Sequence, residues 1–146
     1  MRSAFVLIAL LAVLVAFDRQ SARADADVDQ GRRYYLQYCA SCHGSNGDGQ
    51  GPVAKVLSTK PTDLRLLGER YGIPLPTDRL AKLIDGREVV AAHGSREMPV
   101  WGEKFEEVPE KGREAKINER IRKILAYLET IQRIKVANPG SPESNP

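Results

Sequence analysis

The chain has 146 residues, 28% of them charged and only 6% aromatic, with 22 Lys and Arg against 19 Asp and Glu. Arg2, Arg19 and Arg23 against Asp18 account for most of the +3 net charge. The near-neutral remainder lacks the basic stripe with interleaved aromatics that nucleic acid binding requires, so that class is excluded. A chain this short forms one small domain, with a modest core of its own side chains.

The opening MRSAFVLIALLAVLVAFDRQSARADAD reads as an export leader. Its apolar run, Ala4 to Phe17, is shorter than the roughly 20 residues that span a membrane, and Ala22-Arg23-Ala24 is a small-x-small cleavage pattern. Residues 1–24 are therefore expected to be a signal peptide, with a retained anchor as the alternative, and the protein is expected in the periplasm.

After the leader the pattern turns helical. Val28, Gly31, Tyr35 and Tyr38 recur at three- and four-residue steps behind Asp27 and Asp29, which predicts a helix over about Val28 to Ala40. Glycines 44, 47, 49 and 51 then make a loop. Two short helices are predicted next. One lies in PTDLRLLGERYG, with Thr62 as N-cap and Gly72 as stop; the other lies in PTDRLAKLIDG, from Thr77 to Gly86. A second loop, Ala91 to Phe105, leads into a charged surface excursion to about Lys116. Ile117, Ile121, Ile124, Leu125, Leu128 and Ile131 then form the apolar stripe of a last helix. Residues 138–146 read as a disordered tail. No segment shows strand periodicity and no repeat occurs, so the fold class is all-α. Gly-rich loops contribute few apolar contacts and lose much entropy on ordering, which makes sense if they wrap a flat ligand.

Cys39-Ala40-Ser41-Cys42-His43 is the C-x-x-C-H pattern of c-type haem attachment. Two thiols three residues apart can reach both vinyl groups of one porphyrin, and the next imidazole can ligate its iron. A disulfide closing so short a loop would add little stability. A redox dithiol belongs in a strand–helix context that is missing here, and zinc wants four ligands. The cofactor expected is one haem c, bound through two thioethers at Cys39 and Cys42, with His43 on the iron. Its sixth position can be Met, His or open. Outside the leader, Met98 is the one methionine, in REMPVWG, where Pro99 favours an extended backbone. Met98 is the expected ligand, with core packing as the alternative; His93 is the lesser candidate, better suited to the surface or to a haem propionate. His/Met ligation raises the potential and suits a centre that passes one electron.

These residues resemble the class I, mitochondrial-type cytochromes c, in particular small bacterial single-haem members. The likeness covers nearly all of residues 25–137, through Gly31 with Tyr35, CASCHG, the loop ending Gly51-Pro52, PTDL, MPVWG and ILAYL. It implies a small cytochrome c fold in which the first and last helices cross, Gly31 admitting Tyr127, with short helices and loops around one covalent haem. It implies too that the Pro52 carbonyl accepts a hydrogen bond from the His43 imidazole and that Trp101 packs at the haem margin, with a plain core role as the alternative. Arg65, Arg87 and Arg96 are candidate propionate partners, against the reading that each is a solvated charge. The expected function is electron transfer rather than enzymatic catalysis, by a monomer or in transient complexes. Electrons would come from a dehydrogenase or cytochrome complex and go to an oxidase or reductase. The alternatives are a dedicated cytochrome subunit of a periplasmic dehydrogenase, and a haem sensor or enzyme with a labile sixth ligand. No nucleic acid partner is expected, and a membrane only if the leader is retained.

Overall fold

The computed structural model describes the backbone of residues 2–87, 98–105 and 111–133, and side chains from Val15 onward. His93, Arg96 and the tail lie outside the described residues. Those described form six α-helices and two 3-10 turns, with no strand among them. The helices are α1 (Arg2–Tyr38), α2 (Ala40–His43), α3 (Leu67–Tyr71), α4 (Thr77–Asp85), α5 (Trp101–Lys104) and α6 (Arg113–Thr130). The all-α expectation holds.

Three boundaries differ from expectation. The first helix starts at Arg2 rather than near Val28, because residues 18–30, DRQSARADADVDQ, contain neither proline nor glycine to stop it. The last helix begins at Arg113, behind Gly112 with φ 80°, so the end of the charged excursion is its first turn. In PTDLRLLGERYG the cap is Asp63, not Thr62: its carboxylate accepts the Arg65 backbone N–H and opens a 3-10 turn that runs into α3.

The core forms where α1 crosses α6. Ile117, Ile121, Ile124, Leu125, Tyr127 and Leu128 of α6 are buried, which is the predicted stripe with Tyr127 added and Ile131 at its margin. Side chains of this size contribute about 1.5–3 kcal/mol each when fully buried. Gly31 is buried at the crossing, and a Cβ there would strike the backbone carbonyl of Lys123. The atoms nearest a Cβ at Gly31 are those of the α6 backbone at Lys123 and Ile124. Gly31 admits the α6 backbone, and one turn on, Tyr127 packs against Tyr35 with ring centres 5.2 Å apart. Asp27 closes the outer end of the crossing with Arg122 at 2.8 Å and Lys123 at 3.6 Å.

Candidate haem site

Cys39 sits at the joint between α1 and α2, and Cys42 and His43 lie in the single turn of α2. Gly44, at φ 80°, ends that turn in a conformation few other residues adopt. Its carbonyl accepts the buried Tyr35 hydroxyl at 2.5 Å. The glycine loop then folds back on α2, with Gly49 N–H donating to His43 O at 2.8 Å and Gly51 N–H to Cys42 O at 3.0 Å. Gly51 has no room for a side chain, since a Cβ would meet the Ser41 and Ala40 carbonyls.

Both cysteines are unbridged and partly buried. Burial, reinforced by the neighbouring Cys42, pushes the Cys39 thiol up to about 12, the opposite of what a reactive redox dithiol needs. Among the described residues no group of three His, Cys, Asp or Glu side chains could hold a metal ion by itself, so the zinc reading lacks a donor set there.

The His43 imidazole is fixed through Nδ1, which lies 2.9 Å from the Thr62 carbonyl oxygen. With Nδ1–H as the donor, Nε2 is left as the free donor to a metal. The acceptor is therefore Thr62 and not Pro52. Pro52 follows the buried Gly51, which packs on the Ala40 and Ser41 carbonyls, and is itself exposed. Thr62 is brought to His43 by the chain around it. Leu64 N–H donates to Gly47 O at 2.7 Å. Gln132, just beyond α6, donates to Leu64 O at 2.9 Å and to Leu128 O at 2.7 Å while accepting from Gly68 N–H at 2.8 Å.

Two cavities, of about 320 and 240 Å³, share Cys39, His43, Thr62 and Met98 in their walls. Trp101, Leu57 and Pro61 close the first; Leu64, Leu67, Leu80 and Leu128 make the second apolar. Two thiols, an imidazole with one nitrogen already committed and a thioether, set in apolar walls, are a donor set that fits haem c. The structure thus brings Met98, which is 55 residues from His43 in sequence, to the same cavities.

The expected propionate partners fare differently. Arg65 is held by the Asp63 carboxylate, with contacts of 2.9 and 2.6 Å, and Arg87 by Asp85 and Glu114, while Arg96 lies outside the described residues. Lys60 and Arg70 line the cavities instead. Nothing in their local sequence distinguishes them from other surface cations, so only the folded chain shows their position.

The family model of cytochrome c oxidase, cbb3-type, subunit III matches residues 26–115. The chain belongs to this family. The match takes in α1 from Ala26, the C-x-x-C-H turn, the Thr62 segment, Met98 and α5, so the c-type cytochrome resemblance and the all-α cytochrome fold both stand. Comparisons with curated proteins and with solved structures return no match.

Proposed function

We propose that the protein is a single-haem c-type cytochrome that passes one electron at a time between redox partners of a respiratory chain on the periplasmic side of the membrane. The supporting observation is the convergence of Cys39, His43 and Met98 on shared cavity walls, with His43 Nδ1 at 2.9 Å from the Thr62 carbonyl. When bound, haem supplies an iron that changes oxidation state by one electron.

The chain's own residues hold and tune that group. The Cys39 and Cys42 thiols would hold the haem as thioethers, each adding across one vinyl group with its hydrogen going to the neighbouring carbon. The Thr62 carbonyl draws on the Nδ1 proton and makes the imidazole a stronger donor, which favours the oxidised state. The Met98 sulfur, as a ligand, would pull the other way, favouring the reduced state, and would keep oxygen or peroxide from the iron. The apolar wall from Leu64 to Leu128 excludes water.

Membership of the oxidase subunit family favours delivery of electrons to a terminal oxidase over service to a dehydrogenase. Visible spectra of protein made in a haem-attaching strain test the site. Expected are the bands of covalent low-spin haem, the weak near-red band of sulfur on ferric haem, and resistance of the reduced protein to carbon monoxide. Ready carbon monoxide binding without that band would replace the carrier with a haem sensor or enzyme. Size exclusion of detergent-solubilised native membranes and of the soluble fraction separates a subunit from a free carrier.

A further inference from the structure

The turn that carries Met98 is held from its downstream side. Trp101 begins α5 three residues later, lines the cavity beside Met98, and stacks on Phe105 with ring centres 5.6 Å apart at 26°. Both rings meet the Tyr38 ring edge-on, at 5.6 Å for Trp101 and 5.0 Å for Phe105. Tyr38 is the residue before Cys39. One aromatic cluster therefore ties the residue ahead of the first thiol to the segment just after Met98.

A cation from α6 closes this cluster. The Arg120 guanidinium lies 4.7 Å from the Phe105 ring centre, 5.0 Å from that of Tyr34 and 5.5 Å from that of Tyr38. Its Nη1 also donates to the Tyr38 hydroxyl at 3.4 Å. A delocalised guanidinium is suited to such a site because it stacks on ring faces at low desolvation cost. On its other side α5 rests on the Asp85–Arg87 pair, where a Cβ at Gly102 would meet both side chains. Arg120 also touches the helix crossing through Tyr34 and Tyr38, but the crossing has buried contacts of its own at Gly31, Tyr35, Tyr127 and Ile124. Removing Arg120 therefore loosens α5 in preference to the crossing.

We propose that Arg120 is a positioning residue for Met98, holding the Tyr38–Trp101–Phe105 cluster closed so that the methionine-bearing turn stays against the cavity. The inference rests on Met98 being the iron ligand. Free imidazole competes for the position that methionine vacates, so its apparent affinity rises in proportion to the detached fraction.

The test uses the oxidised holoprotein and compares wild type with Arg120→Leu and Arg120→Lys, reading imidazole affinity, the near-red band, and helix loss in denaturant by circular dichroism. Expected for Arg120→Leu is about a tenfold rise in imidazole affinity. Its band should disappear at clearly lower denaturant than its helices unfold, and Arg120→Lys should fall between it and wild type. Unchanged imidazole affinity, or band and helices lost together over the same shift, would overturn the proposal by reducing Arg120 to a general packing residue. If Arg120→Leu does not fold, Arg120→Lys alone decides by the same two readings. A wild-type protein that lacks the near-red band removes Met98 ligation itself, and the proposal with it.

Discussion

The Nδ1 atom of His43 lies 2.9 Å from the backbone carbonyl of Thr62, a residue whose own path is fixed from the far end of the chain by Gln132. Because the acceptor is backbone, Thr62→Val should leave the midpoint potential essentially unchanged. Gln132→Ala should raise it by tens of millivolts, since a loosened carbonyl makes the imidazole a weaker donor to ferric iron. The same change leaves the Gly68 N–H and Leu64 carbonyl without their partner, at a cost of about 1–3 kcal/mol. Redox titration and denaturant unfolding of the two variants give the comparison. A potential shift in Thr62→Val with none in Gln132→Ala would contradict this division of labour.

Met98→Ala should keep covalent haem, since Met98 takes no part in the thioether bonds, but lower the potential and open the iron to carbon monoxide. An unchanged potential would assign the sixth position to another residue.

Gly31→Ala places a methyl group against the Lys123 carbonyl. Backbone cannot swing aside as a side-chain tip does, so α1 and α6 must separate. The expected loss is about 3 kcal/mol, with a lower yield of folded holoprotein. Unfolding by denaturant measures it, and a loss within experimental error would mean that the helices do not cross this closely.

The Arg87 guanidinium holds the Asp85 carboxyl below its usual value of 3.8, chiefly through their side-chain hydrogen bond. A carboxylate whose pKa is lower in the folded than in the unfolded chain contributes stability above its ordinary value, and that stability is lost as pH falls through the lowered one. Arg87→Gln should therefore cost up to about 1 kcal/mol at neutral pH, after allowing for solvent screening. The gap to wild type should narrow as pH falls below the ordinary carboxylate value of 3.8 and through the lowered one. Thermal unfolding across this range checks the sign. A gap that persisted undiminished into acid would show that the contact is not ionic.

Much of this protein is local in origin and so was legible along the chain. The C-x-x-C-H turn, the glycines that stop α2 and open the loop, and the apolar stripe of α6 depend on residues within a few positions of one another. Met98 could be singled out because the sequence offers so few other soft ligands, not because its place could be derived. Even locally, Thr62 was passed over as a cap in favour of Asp63, whose carboxylate reaches the Arg65 N–H.

What the folded chain alone decided involves contacts between distant segments. That Thr62 rather than Pro52 fixes His43, that Gly31 faces the Lys123 carbonyl while Tyr35 takes Tyr127, and that Arg120 enters the rings beside the Met98 turn all depend on crossing angle and helix register. A shift of one turn exchanges such partners without altering any local pattern. The sequence by itself determined which atoms are fit to hold a haem; tertiary packing decided which backbone oxygen and which cation keep them in place.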